Sequence, residues 1–369
     1  MDTRIDTIVV GGGAAGLGMG KRLQDRGIRF VILDERPRIG DTWRERYRSL
    51  KLFTPRSLAE LPGLRLDMGY FDFPTGTQYG DYLQRYVEHF ALPVRLGTRV
   101  ASLTRAEGCF RLETAAGEVF LADHVVVAVG QHRRPVTPDF AKEVGHGIRQ
   151  LHSVAYAGPG DLAAGPVLVV GAGNSGTDVA LEAARAGHTV TLAGRHPGQV
   201  PPDIDTPLGN LLSRIFIRKL QRTTVDTPKG RAMRDQVRGH GVNLVRNKLK
   251  DLERAGITRV PRITGTDAAG RPVASDGTVV DCTTIVWCTG SVPDFGWIRI
   301  DGVFDASGRP DEYRGLARNV PDLAFLGLAF QYSIASSTLM GMGVDADYIV
   351  QRLFAAASSE PVLSRAVAS

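Results

Sequence analysis

An α/β fold built from two similar units is what this sequence predicts, and three observations carry the prediction. Ile8-Val9-Val10 is a short β-branched run that enters Gly11-Gly12-Gly13-Ala14-Ala15-Gly16 and continues into Leu17-Gly18-Met19-Gly20-Lys21-Arg22-Leu23, which reads as strand, tight turn and helix. A second apolar strand, Phe30-Val31-Ile32-Leu33, follows and ends at Asp34-Glu35. The same grammar returns where Val167-Leu168-Val169-Val170 leads into Gly171-Ala172-Gly173-Asn174-Ser175-Gly176. Strand, G-x-G-x-x-G, helix, strand and acid in that order describe a Rossmann-like dinucleotide-binding unit.

Each glycine has a separate task. Gly11 permits the turn, Gly13 lets a pyrophosphate approach the backbone, and Gly16 lets helix and strand pack closely. The helix start, with Ala14 and Ala15, offers free N–H groups and the positive end of its dipole to phosphates. Asp34, beside Glu35, stands where ribose hydroxyls would be held. At the same offset of 23 residues from the first glycine, the second unit has Gly194, followed by Arg195 and His196. Losing the acid and gaining a guanidinium suits a 2′-phosphate. The first unit is therefore expected to hold FAD and the second NADPH.

Composition bounds the rest. A chain of 369 residues is too long for one ordinary core. The net charge of +6 (45 basic minus 39 acidic) is scattered, with no basic tail to suggest nucleic acid. Cys109, Cys282 and Cys288 form no C-x-x-C pair and no metal-ligand cluster, so dithiol and zinc chemistry are not expected. The polar start, Met1 to Asp6, carries no signal peptide, and no apolar run reaches spanning length; the expected compartment is cytoplasmic.

After Asp34 comes a loop with Thr42 and Trp43. Trp43 either plugs a core edge or faces the cofactor. Residues 44–77, with three prolines and no clean periodicity, read as an irregular cap. Thr77 to Phe90 is an amphipathic helix. Strands are expected at Val94 to Leu96, Val100 to Arg105, Cys109 to Thr114 and Val119 to Leu121. Another runs from Asp123 and ends in the small residues Ala128 and Gly130. In 199–255, Leu208, Leu211, Leu212, Ile215, Phe216 and Leu220 share one helical face, with Arg214, Arg218, Lys219 and Arg222 elsewhere. Such a helix lies on a membrane surface or packs between domains or subunits. Strands resume at Ile257 to Val260 and Val279 to Val280, then end in Thr289-Gly290. In the tail, the run Ser336 to Gly341, including Thr338 and Leu339, leads into a helix through Val344 to Leu353, where small residues either set N–H groups against a ligand or only let the helix pack closely.

On these motifs the chain resembles the flavin-containing monooxygenases, near the plant indole-pyruvate monooxygenases and small bacterial relatives. The likeness covers nearly the whole length. It rests on both fingerprints, Ile39-Gly40-x-x-Trp43, Tyr47-x-x-Leu50-Lys51-Leu52, Val127-Ala128-Val129-Gly130 and Thr289-Gly290. The family signature F-x-G-x-x-x-H-x-x-x-[Y/F] is half kept: His152, Ser153 and Tyr156 fit, while His146 and Ile148 replace Phe and Gly. Phe53 stands where relatives carry a polar Asn or His beside the flavin.

The resemblance implies a glutathione-reductase-like arrangement with the NADPH domain inserted into the FAD domain. The expected division is 1–157 for FAD, 158–290 for NADPH with a helical insert near 200–255, and 291–369 for FAD again. The implied reaction is reduction of FAD by NADPH, formation of a C4a-(hydro)peroxide with O2, and oxygenation of a small-molecule substrate at a soft nitrogen or sulfur, or at a carbonyl carbon. A reductase or oxidase of the same fold and a non-catalytic flavin-binding protein are the rival readings. Thr54 is the candidate for steadying the peroxide in place of Phe53. The expected cofactor-binding positions are Gly11, Gly13, Ala14, Ala15, Gly16, Asp34, Glu35, Thr42, Trp43, Val100, Ala128, Gly130, Gly171, Gly173, Asn174, Ser175, Gly176, Arg195, Thr289, Gly290, Thr338 and Leu339. No nucleic-acid or integral membrane contact is expected, and against longer family members the expected substrate cap is small or shared across a homodimer.

Overall fold

The computed structural model describes residues 3–131, 133–238 and 243–355. In chain order the first stretch holds β1 (Thr3–Val10), α1 (Ala14–Asp25), β2 (Phe30–Leu33), α2 (Asp41–Arg44), α3 (Arg56–Ala59), α4 (Gly76–Phe90), β3 (Val94–Arg95), β4 (Val100–Ala106), β5 (Cys109–Thr114) and β6 (Val119–Val127). The middle holds β7 (Arg134–Pro135), β8 (Arg149–His152), β9 (Val167–Val170), α5 (Asn174–Arg185), β10 (Val190–Ala193), α6 (Pro207–Gln221), α7 (Pro228–Arg238) and α8 (Leu249–Arg254). It continues through β11 (Thr258–Val260), β12 (Ile263–Thr266), β13 (Pro272–Ala274), β14 (Thr284–Trp287) and β15 (Ser291–Val292). The last stretch adds β16 (Glu312–Tyr313), β17 (Leu316–Ala317), β18 (Leu323–Phe325) and α9 (Met342–Leu353).

Two sheets result. The first has nine strands, ordered β16-β17-β18-β6-β1-β2-β3, with the β4–β5 hairpin extending from β6. Its β18, β6, β1, β2 and β3 run parallel. Ile8 and Val9 are fully buried because helices α1, α4 and α9 cover one face and the hairpin with residues 295–304 covers the other. That burial on both faces is why the strand sequences are continuously apolar instead of alternating. The second sheet, β11-β10-β9-β14-β8, is wholly parallel. All its strands come from chain between β6 and β16, so the second unit is inserted into the first, as the resemblance implied. The antiparallel pair β7–β15 joins them, Ser291 opposite Pro135 and Val292 opposite Arg134.

Several expectations change in detail. The strands placed at Val119 to Leu121 and from Asp123 are one nine-residue strand, since Ala122 points inward and continues the buried side. β8 pairs with β14, so the second sheet takes its first strand in chain order from Arg149–His152. Val279 makes only an isolated bridge to Val273. Residues 336–341 form turns ahead of α9, whose span Met342–Leu353 contains the helix expected from Val344 to Leu353. Of the expected irregular cap at 44–77, residues 45–75 are irregular apart from the single turn of α3, tied by the bridge Lys51–Thr75 and by Arg56 N–H donating to Asp72 O at 2.7 Å.

In α6 the apolar face points outward. Leu208, Leu211, Leu212 and Ile215 are exposed while Asn210 and Ser213 are buried. The side chains of Phe216, Lys219 and Leu220 lie outside the described residues. Among the described residues no helix is long and apolar enough to cross a membrane.

Candidate functional site

Each unit's glycine turn leaves a β-strand and enters a helix, and the two turns share the same backbone approach. Gly11 and Gly171 take φ of +109° and +112°, a left-handed backbone that favours glycine. A Cβ on Gly16 would lie 1.8 Å from Gly11 O, and one on Gly176 would lie 1.7 Å from Gly171 O. Gly13 and Gly173, the N-caps of α1 and α5, have open space in front of them, and neither helix carries an acid in its first turn. A cradle that a side chain would fill, at a helix N-terminus with unopposed N–H groups, fits a pyrophosphate in both units.

Three strand ends converge on the first turn. Ala128 N–H donates to Val10 O at 2.8 Å, and Leu326 N–H donates to Val127 O at 2.9 Å. Gly130 has φ +76° with open space beside it, and Gly327 comes within Cβ contact of Ala15. The crevice therefore sits outside the carboxyl ends of β1, β6 and β18, where doubly wound sheets bind their ligands. Gln131 donates to Gly327 O at 2.8 Å, while Gln331 accepts from the N–H groups of Gly327 and Leu328. Gly327, Gln131 and Gln331 were missed from sequence, although Leu323 to Gly327 shows the strand-then-glycine pattern that would have found Gly327.

The acids differ in their partners. Asp34 lies on the turn itself, accepting from Gly12 N–H and, at 2.8 Å, from Arg36 N–H. Glu35 instead forms a two-pronged ion pair with Arg133, whose guanidinium holds the carboxyl below its ordinary range. In the second unit the position equivalent to Asp34 is Gly194, whose Cβ would stand 3.2 Å from Ala172 N, the counterpart of Gly12 N. The amide that Asp34 occupies in the first unit thus faces no acid in the second. Arg195 is exposed and forms no ion pair among the described residues. His196 Nδ1 accepts from Gly198 N–H at 2.9 Å, and burial, then Arg259, hold the ring's pKa down. The neutral ring consequently carries its proton on Nε2, a buried atom without a partner. An unopposed amide, a free guanidinium and an orphaned imidazole donor fit an anionic phosphate.

The remaining positions are spread more widely. Asn174 is committed to the protein, donating to Asn243 O at 3.1 Å and accepting from Val245 N–H at 3.0 Å, while Ser175 is exposed. Val100 is buried at the start of β4. Thr42 is exposed on α2, and the next residue, half-buried Trp43, packs edge-on to Tyr79 with ring centroids 5.1 Å apart. Thr289 donates its hydroxyl to Val136 O, and Gly290 O lies 3.0 Å from His152 Nε2, so both stand at the joint between the units. Thr338 donates to Ala335 O at 2.7 Å inside a turn, with Leu339 beside it. Thr54 is buried in the irregular cap, while the ring of Phe53 is 41% exposed. The cysteines are all unpaired. Burial pushes Cys282 up to about 11 and Cys288 up to about 12, which makes both thiols poor nucleophiles at neutral pH.

Comparison with known proteins agrees with this geometry. Residues 8–226 match the family model for pyridine nucleotide-disulphide oxidoreductases. An uncharacterised CzcO-like oxidoreductase of Geobacillus kaustophilus is 34% identical over 94% of this chain and 97% of its own. The indole-3-pyruvate monooxygenase YUCCA1 of Oryza sativa is 32% identical over 53% of this chain and 49% of its own. The flavin-containing monooxygenase of Stenotrophomonas maltophilia superposes with a TM-score of 0.77 at 26% identity, covering 97% of this chain and all of that one. The chain belongs to the flavin-containing monooxygenases, oxidoreductases whose members use FAD and NADPH.

Proposed function

We propose that FAD lies across the carboxyl ends of the first sheet and NADPH across those of the second, and that the enzyme oxygenates a small organic substrate. The observation that carries this reading is the pair of matched turns, each with its second glycine open at a helix N-terminus. The proposed division of the chain follows the sheets, with the coenzyme unit running from β7 to β15. A flavin held there would supply the redox chemistry, with two electrons from NADPH letting one oxygen atom of O2 reach the substrate while the other leaves as water.

The protein's part is binding, orientation and exclusion of water. The N–H groups at Gly13, Ala14 and Ala15 hold the first pyrophosphate. Asp34, with lone pairs left after Gly12 and Arg36, accepts from the ribose. The Glu35–Arg133 pair fixes the neighbouring loop. Ala128, Gly130 and Gly327 let the flavin approach backbone, with Thr338 and Leu339 on the tail side. Thr54 is the proposed polar group beside the oxygen-reacting edge. Arg195, Ala172 N–H and His196 Nε2 take the 2′-phosphate.

Rapid mixing tests this reading. NADPH should bleach the flavin, and O2 should then produce a long-lived absorbance band distinct from those of oxidised and reduced flavin. Immediate release of H2O2 without such a band would mark an oxidase. Absence of bleaching would mark a flavin-binding protein without turnover.

A further inference from the structure

α6 is amphipathic in the wrong direction for a helix of a single-chain protein. At 3.6 residues per turn, Leu208, Leu211, Leu212 and Ile215 fall within about 100° of one another. These four side chains are 47–67% exposed. The opposite side is polar and turned inward. Ser213 donates to Asn210 O at 2.7 Å, and Asn210 Oδ1 accepts from Arg214 at 3.2 Å. Contiguous apolar surface of this kind marks an interaction site.

Charge says what covers it. The chain entering α6 carries exposed Asp203 and Asp205, and the far end carries exposed Arg218 and Arg222. Asp205 pairs with Arg246, whereas Asp203, Arg218 and Arg222 make no ion pair among the described residues. A helix that is acidic before one end, apolar at its centre and basic at the other is complementary to an antiparallel copy of itself. We infer that two copies of this chain pair through α6 about a two-fold axis between residues 211 and 212. That register sets Leu208 against Ile215 of the second copy, Leu211 against Leu212, and Arg218 beside the loop carrying Asp203 and Asp205. Such an isologous contact closes on itself as a dimer. It also braces the cap. Arg214 stacks over the rings of Tyr70 and Phe71, 4.7 and 5.1 Å from their centroids, and donates to Ser57, so a partner on α6 restrains residues 57–71.

The flavin-loaded full chain tests this in solution. Sedimentation velocity should give a species of twice the 39.8 kDa chain mass. Leu211→Glu with Ile215→Glu should halve it while flavin content and far-UV dichroism stay unchanged. Oxidised Leu212→Cys should cross-link to its own copy. Leu208→Cys should not, because those positions lie about 10 Å apart along the pair, beyond disulfide reach, yet it should cross-link when mixed with Ile215→Cys. Three results would each overturn the inference: a wild type that stays single-chain at tens of micromolar, a dimer that survives both Glu substitutions, or Leu208→Cys linking to itself as readily as Leu212→Cys. A single chain that floats with phosphatidylserine vesicles would assign the face to lipid instead.

Discussion

The hydroxyl of Tyr47 donates a 2.6 Å hydrogen bond to Asp178 Oδ2, joining the segment after α2 to the helix that opens the second glycine turn. Asn247 donates to the other carboxylate oxygen. Burial raises the Asp178 pKa, and the bonds from Tyr47 and Asn247 hold that rise back. A carboxyl raised above its unfolded value costs stability as pH climbs past about 3.9, and Tyr47 limits that cost. Tyr47→Phe should therefore lower unfolding free energy by roughly 1.5–3 kcal/mol at pH 8, the range for a hydrogen bond to a charged group. The deficit should shrink toward pH 3, below the carboxyl's unfolded pKa of about 3.9, where Asp178 becomes neutral in both states. Urea titrations at the two pH values check this, and an equal deficit at both would place the loss in packing alone.

The two outer contacts of the first turn separate binding from folding. Gly13 has φ −77° and ψ −175°, open to any residue, and empty space beyond it. Gly13→Val should fold but be purified colourless, because the valine methyls take the pyrophosphate position. Gly16→Ala sets a Cβ against Gly11 O and should lose folded protein altogether. Flavin content against melting temperature reads both. A yellow Gly13→Val protein would remove FAD from this turn.

What was legible in the sequence follows from where the information lies. The glycine turns are local, because Gly11, Gly13 and Gly16 each answer to atoms within a few residues or to an adjoining strand. Asp34 and the Gly194–Arg195 contrast could be read for the same reason. β16 and β17 are two residues each and exist only because Glu312 and Tyr313 find Ala317 and Leu316 opposite. Nothing in their own composition marks them. The outward face of α6 was unreadable for a different reason: periodicity locates an apolar stripe but not the side from which the protein packs. The Ser336 to Gly341 run reads as leading into a helix, but the turn there is set by Ser336 accepting from Tyr332 and Ser333 N–H.

Asp345, in the first turn of α9, is buried, with the Ser336 hydroxyl as the polar group nearest its carboxyl. Burial pushes its pKa up to about 7, with Glu312 adding to the rise and Ser336 and Arg314 opposing it. Below about pH 4 the group is neutral folded and unfolded and costs nothing. Between pH 4 and 7 the unfolded chain ionises first, so stability falls, and the full cost is reached above 7. Roughly three pKa units correspond to about 4 kcal/mol at most. Asp345→Asn should therefore flatten the pH dependence and unfold at higher urea than wild type at pH 8, with little difference at pH 4.5. Identical profiles for the two proteins would mean Asp345 ionises freely.

Coenzyme choice turns on Arg195. Its guanidinium is exposed, carries no acid of its own, and follows the glycine that replaces the ribose-binding acid. Two parallel charge-assisted hydrogen bonds from such a group to a phosphate are strong, and NADH has no phosphate to receive them. Removing a charged hydrogen-bonding partner costs about 1.5–3 kcal/mol. Arg195→Ala should thus lower kcat/KM for NADPH by roughly one to two orders of magnitude and leave NADH nearly unchanged. The loss should fall on KM, because the 2′-phosphate is remote from the hydride and flavin reduction at saturation does not depend on it. Arg195→Lys should recover part of the affinity through charge but not the paired geometry. Direct titration of NADP+ against NAD+ gives a readout independent of turnover. Equal losses with both coenzymes would make Arg195 a structural residue, and a wild type that prefers NADH would reverse the assignment of the second unit.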